Sequence, residues 1–98
     1  MKNDKIITYV ELNVNPDYIE AVLPLADKTK KAILLEEGCK AFNLTRKKEE
    51  PNTLVIFAIY TSKEDYEWHL EQDYVKSFFD FLESKLISVP TVTYLAEI

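Results

Sequence analysis

The pair of residues best suited to proton chemistry in this chain is its single histidine, His69, and a tyrosine nine positions before it, Tyr60. Imidazole is the side chain whose ordinary pKa lets it take and return a proton near neutral pH. A phenolic hydroxyl beside it can hold the anion that forms. His69 is therefore the candidate general base and Tyr60 the candidate holding group. The competing structural reading is a core histidine whose nitrogens are satisfied by backbone groups or tyrosine hydroxyls. Cys39 is the only cysteine, so it cannot form an internal disulfide, and with no base next to it in sequence it reads as a packing residue. One histidine and one cysteine do not make a structural metal site. The sequence carries no phosphate loop, dinucleotide fingerprint or serine elbow, and no cofactor is expected.

Alternating periods in the chain must position these groups. From Lys5 to Val14 every second residue is apolar or threonine (Ile6, Thr8, Val10, Leu12, Val14), which is strand spacing with one buried face. Asn15-Pro16-Asp17 then starts a helix, with Asn15 as cap and Pro16 in the first position. Its buried stripe is Ile19, Val22, Leu23, Ala26 and Ile33, Pro24 is expected to kink or divide it, and Gly38 is read as its stop. Cys39 to Lys47 alternates again, with Phe42 and Leu44 on one side. After the turn residues Lys48 to Asn52, Thr53 to Tyr60 runs nearly all apolar, so this strand is expected to be buried on both faces. One layer of helices covers one face only, and a second copy of the chain is the expected cover for the other.

Ser62 and Asp65 resemble a capping box that opens a second helix at about Lys63, with Tyr66, His69 and Leu70 on its inner face. Trp68 projects about 100° away from His69 on such a helix, toward a rim rather than a pocket. Past a break at Gln72-Asp73 a further stripe runs Val75, Phe78, Phe79, Leu82 and Leu86, before Pro90 and a last strand from Thr91 to Ile98. The order β-α-β-β-α-β, with a right-handed crossover and one hairpin, predicts a ferredoxin-like α+β antiparallel sheet with its helices on one face. One domain spanning residues 1–98 is expected, since so short a chain cannot fill two cores.

The net charge of −5 argues against nucleic acid or an anionic membrane as partner, because both require a basic face. Arg46-Lys47-Lys48 is followed at once by Glu49-Glu50, which makes it a solvated hairpin tip rather than a phosphate contact. With one cysteine, no apolar leader and no apolar run long enough to span a bilayer, the expected compartment is the cytoplasm.

Asn15-Pro16-Asp17, Glu36-x-Gly38-Cys39, Glu50-Pro51-Asn52 and Tyr60-x-Ser62-x-Glu64-Asp65-x-x-x-His69 together resemble the antibiotic biosynthesis monooxygenase family over nearly the whole chain. The resemblance implies a homodimeric α+β barrel, each subunit keeping a pocket between its sheet and its helices for a small apolar or aromatic ligand. Such families include cofactor-independent quinol and polyketide monooxygenases, haem-degrading enzymes and an isomerase acting on a phosphorylated compound, so fold does not fix reaction type. Many members carry an acidic residue where this chain has Ala58, and a second histidine in the region of Asp73. Haem degraders resemble one another in a tryptophan at the end of the third strand and an asparagine in the first, where this chain has Tyr60 and Val10, which disfavours haem degradation.

The resulting expectation is a cofactor-independent monooxygenase acting on a small aromatic, quinol or polyketide-like compound. His69 and Tyr60 would be catalytic, with Phe42, Leu44, Ala58, Tyr66 and Phe78 as the substrate pocket. A non-redox isomerase of a small carbonyl compound, or a non-catalytic small-ligand-binding dimer, are the alternatives. The missing acidic residue at Ala58 favours the last, and the lone Arg46, at the hairpin tip, offers little to a phosphorylated substrate.

Overall fold

The computed structural model describes residues 5–98. Four strands, β1 (Ile6–Asn13), β2 (Cys39–Arg46), β3 (Thr53–Tyr60) and β4 (Thr91–Leu95), form one sheet in the order β2-β3-β1-β4, with every pairing antiparallel. Three helices, α1 (Ile19–Ile33), α2 (Lys63–Leu70) and α3 (Asp73–Leu82), complete a ferredoxin-like α+β fold. The break expected at Gln72-Asp73 separates α2 from α3.

Local chemistry sets the element ends. Asn15 Oδ1 accepts the Asp17 amide at 2.9 Å, and Pro16–Tyr18 make a 3-10 turn before α1 begins. Pro24 does not divide α1, which runs unbroken from Ile19 to Ile33. The amide that proline lacks would have bonded the Glu20 carbonyl, and Glu20 is exposed, so water can replace that bond. Ser62 Oγ accepts the Asp65 amide at 3.1 Å as the N-cap of α2. The return half of the expected capping box is different: the Asp65 carboxylate accepts the Thr61 hydroxyl.

Three expectations need correction. Gly38, the only glycine in the chain, does not end α1 in a left-handed conformation, since no described residue has positive φ and the helix is already over at Ile33. Glycine is required there by space, because a Cβ would come within 2.5 Å of Asp65 Cβ and 2.6 Å of its Cγ. The α3 stripe stops at Leu82 rather than Leu86, as the chain turns back to the sheet: Asn15 N donates to Lys85 O at 2.9 Å, Ile87 N to Asn13 O at 2.9 Å, and Leu86 bridges Val14. The last strand ends at Leu95 and not at Ile98.

The core fills one end of the sheet–helix layer. Leu12, Val14, Leu54 and Ile56 from the sheet pack with Val22, Ala26, Phe78 and Leu82 from α1 and α3. Burial of side chains this size stabilises by roughly 1.5–3 kcal/mol each, so this end anchors the fold. The other end, where β3 finishes at Tyr60 and α2 begins, is hollow. On the opposite face of the sheet, Val55, Phe57 and Ile59 are only half-buried, so β3 is not covered on both sides within one chain. The hairpin-tip cations are engaged as expected of a surface turn: Arg46 Nε donates to Pro51 O at 2.8 Å, and Lys47 Nζ lies 2.7 Å from Glu11.

Candidate functional site

A cavity of about 130 Å³ lies between the helix-facing side of the sheet and the helices, at the end remote from the hairpin tip. The antiparallel register explains its position. Cys39, the first residue of β2, pairs with Tyr60, the last of β3, so the loop leading into β2 and the start of α2 meet at one sheet end. Phe42 and Leu44 of β2, Ala58 and Tyr60 of β3, Tyr66 and His69 of α2 and Phe78 of α3 all border the cavity. These are the seven residues singled out from sequence. Val10, Thr8, Thr29 and Leu70 also border it, whereas Trp68 faces solvent at 55% exposure.

At the polar end of this otherwise apolar space, Tyr60 and His69 are joined directly. The Tyr60 hydroxyl is 3.1 Å from His69 Nε2, and the other ring nitrogen, Nδ1, is 3.0 Å from Glu36 Oε2 and 3.2 Å from Oε1. Tyr74 donates its hydroxyl to the same Glu36 Oε2 at 2.6 Å. Tyr60, His69 and Glu36 are 2%, 5% and 8% exposed. An ionised carboxylate can only accept, so the network assigns the imidazole proton to Nδ1, facing Glu36, and leaves the Nε2 lone pair to accept the Tyr60 hydroxyl. Buried carboxylates are tolerated when charge-assisted hydrogen bonds replace water, and Glu36 has two donors, His69 Nδ1–H and Tyr74 O–H.

The surroundings keep Tyr60 protonated. Burial is the main cause that drives its hydroxyl far above the ordinary phenol range, with the charge of Glu36 among the lesser contributors. Tyr60 is therefore suited to passing a proton along rather than to standing as an anion. Tyr66 packs against both members, with ring centroids 5.2 Å from Tyr60 and 6.2 Å from His69, the latter at an interplanar angle of 18°. A protonated imidazole stacked on that face gains cation–π attraction. The Tyr66 hydroxyl meets that of Tyr94 on β4 at 3.1 Å, and burial raises the Tyr66 pKa as well. Cys39, close to Glu36, is pushed up by burial first and by the carboxylate second, and its thiol donates to Ala41 O at 3.4 Å, so it is no nucleophile.

Glu36 and Tyr74 are the two functional groups that sequence reasoning missed. In the sequence Glu36 stands only within the Glu36-x-Gly38-Cys39 motif, with no role assigned to its side chain. The usable signal was topological: a hairpin centred on residues 48–52 brings the start of β2 beside the end of β3, so the residues just before Cys39 must approach those just after Tyr60. Among the described residues no cluster of three histidine, cysteine, aspartate or glutamate side chains could hold a metal, and no helix is long and apolar enough to cross a membrane.

The fold recurs in solved structures. Rv0793 of Mycobacterium tuberculosis superposes with a TM-score of 0.91 at 21% identity, covering 97% of this chain and 96% of that one. A Nitrosomonas europaea protein with the working name antibiotic biosynthesis monooxygenase gives 0.92 at 16% identity, covering 100% and 94%. A Caulobacter crescentus protein with the same working name gives 0.80 at 28% identity, covering 98% and 92%. No curated protein matches the chain in sequence. The model of the antibiotic biosynthesis monooxygenase family matches residues 5–80, which takes in the sheet through β3, all of α1 and α2, Glu36, Tyr60, His69 and Tyr74, and this chain belongs to that family.

Proposed function

We propose that this protein is a cofactor-independent monooxygenase that oxidises a small, electron-rich phenol or quinol, with the Glu36–His69–Tyr60 relay as its proton acceptor. The observation that carries the reading is this buried relay at the only strongly polar end of an apolar cavity. The substrate hydroxyl gives its proton to the Tyr60 oxygen while Tyr60 gives its own to His69 Nε2, and the imidazolium is held by Glu36 at Nδ1 and by the face of Tyr66. His69 thus acts as base through Tyr60, because Tyr60 occupies the Nε2 lone pair.

The phenolate then transfers one electron to dioxygen, and the resulting superoxide and aryloxyl radical combine at a ring carbon to give a peroxide anion, which takes back the relay proton and becomes a hydroperoxide. The hydrogen of that carbon leaves with the distal oxygen as water as the O–O bond breaks, and a carbonyl remains. The substrate supplies all the electrons, and the relay proton leaves in the water, so that the relay is restored. For hydroquinone the balance is substrate plus dioxygen giving hydroxyquinone plus water.

Oxygen uptake with a series of hydroquinones and alkylphenols tests the proposal, His69→Ala being expected to lower turnover by about 10²–10⁴-fold with the fold retained. Proton exchange on a carbonyl compound without oxygen consumption would instead establish the isomerase reading, and tight binding without turnover a ligand-binding role. Arg46 bonds Pro51 at the far hairpin tip, so the cavity offers no arginine to a phosphorylated substrate.

The functional unit in this proposal is a homodimer. Both faces of β4 are exposed, and Tyr9, Val55, Phe57 and Ile59 leave an apolar surface on the sheet face away from the helices. A second copy laid against that face would bury it and leave each cavity intact.

A further inference from the structure

The floor of the cavity has a gap with a polar edge. On the helix-facing side of the sheet one cross-strand row runs Phe42, Ala58, Thr8, Tyr94, and only Ala58 has nothing beyond Cβ. The void opens over it, and at about 130 Å³ it is close to the engineered apolar cavity of about 150 Å³ that holds benzene. One six-membered ring matches that volume.

Thr8 borders this gap at 4% exposure. Its hydroxyl has no hydrogen-bond partner among the described residues, and since every side-chain nitrogen or oxygen fully sealed from solvent has one, the Thr8 hydroxyl is not sealed, and the cavity is the open space that Thr8 borders. Thr29, the other threonine of the cavity wall, donates to Leu25 O at 2.8 Å and is satisfied. Valine would suit the strand and the apolar wall equally well, and an unmatched hydroxyl in such a wall is unfavourable unless a ligand or water supplies its partner.

We infer that Thr8 is a specificity-determining residue whose hydroxyl holds a second oxygen on a single-ring substrate, the first oxygen lying at Tyr60. Because Thr8 pairs with Ala58 and Ile6 with Tyr60, Thr8 and Tyr60 are diagonal neighbours on one face, with Cα atoms roughly 7–8 Å apart. A ring lying over Ala58 bridges that span with an oxygen at each side. The inference rests on the reading of Tyr60 and His69 as the proton relay, and it adds the substrate class: a monocyclic compound with two oxygen substituents.

The test is anaerobic calorimetric binding of hydroquinone and resorcinol against p-cresol and m-cresol, which keep the shape but replace one hydroxyl by methyl. Wild type is expected to bind at least one diol more tightly than its cresol. Thr8→Val should weaken that diol by about 3–10-fold and leave the cresol unchanged, while Thr8→Ser keeps the preference. Equal binding of diol and cresol by wild type, or an equal effect of Thr8→Val on both, overturns the role of Thr8. If Thr8→Val fails to fold, the wild-type comparison and Thr8→Ser still decide. Oxygen uptake is read separately: the diol preference without oxygen consumption defeats the monooxygenase reading and leaves Thr8 in place, and uptake without the preference does the reverse.

Discussion

Glu36→Gln isolates the charge of the relay from its shape. Glu36 Oε2 accepts both the Tyr74 hydroxyl at 2.6 Å and His69 Nδ1–H at 3.0 Å, and a glutamine carbonyl oxygen in that position has lone pairs for both donors. The neutral imidazole therefore stays in place, with Nε2 still facing Tyr60. In the proposed reaction, the imidazolium formed when His69 takes the substrate proton would lose its counter-ion. Charge-assisted hydrogen bonds are roughly twice as strong as neutral ones, and two unit charges about 4 Å apart attract by about 4 kcal/mol at an effective dielectric near 20. The loss falls between about 2 and 4 kcal/mol of transition-state stabilisation, or about 30–1,000-fold in kcat. KM should change little, because the effect exists only once the proton has moved.

The assay is oxygen uptake against substrate concentration for wild type and Glu36→Gln, with circular dichroism and thermal melting to show that both are folded. A folded variant whose kcat stays within about threefold of wild type would refute the reasoning, since the carboxylate would then not bear on the proton transfer. Glu36→Ala is the harsher control. It leaves Tyr74 O–H and His69 Nδ1–H without their acceptor, at about 1–3 kcal/mol for each donor that stays buried. It should lower the melting temperature as well as the rate.

Three further outcomes follow from the structure. Gly38→Ala should destabilise by about 1–3 kcal/mol in urea titrations, because its Cβ would collide with Asp65 at 2.5 Å and push the start of α2 from the β2 edge; a wild-type midpoint would mean that the contact relaxes freely. Tyr60 has a folded-state pKa raised by burial, so its contribution to stability is complete below about pH 10 and is lost as the pH rises from there toward the raised value, at up to about 1.4 kcal/mol per pH unit. Unfolding curves above about pH 10 should therefore decline less steeply in Tyr60→Phe than in wild type, and equal slopes would count against a buried phenol. Phe57→Asp, on the sheet face away from the cavity, should convert the proposed dimer to the 11.4 kDa monomer in sedimentation equilibrium, since an unpaired charge at an apolar interface is costly to bury; an unchanged mass would place the interface elsewhere.

The fold was legible in the sequence because the period of each segment reports directly on which face is buried. Alternation at Thr8, Val10 and Leu12 marked the buried face of β1, and that at Phe42 and Leu44 one side of β2, without coordinates. Side chains whose roles depend on contacts between distant segments were less legible. Gly38 looked like a helix stop, since that is what a lone glycine after a helical stripe usually means, and its real constraint, Asp65 27 positions away, is visible only in three dimensions. Leu86 continued a helical period in the sequence, yet the backbone bonds of Lys85 and Ile87 to the β1 end draw it into a bridge with Val14.

Glu36 shows how far the reading could have gone. A hairpin fixes its own register from the tip outward, so counting back from residues 48–52 along β2 and forward along β3 brings Lys40 opposite Tyr60, and an irregularity between Cys39 and Ala41 shifts that pairing by one residue to Cys39. His69, two turns into the helix that follows, folds back over the same end. Any acid within a few residues before Cys39 is then within reach of the imidazole, and Glu36 and Glu37 are the candidates; the structure buries Glu36 and leaves Glu37 exposed. What periodicity could not supply was a reason for Glu36 to leave water, and that reason lies in two partners from other segments, His69 on α2 and Tyr74 on α3. The relay thus depends on three connections closing together. Burial of the Glu36 carboxylate is tolerated only with both donors in place, which ties the integrity of the site to the docking of α2 and α3 on the sheet.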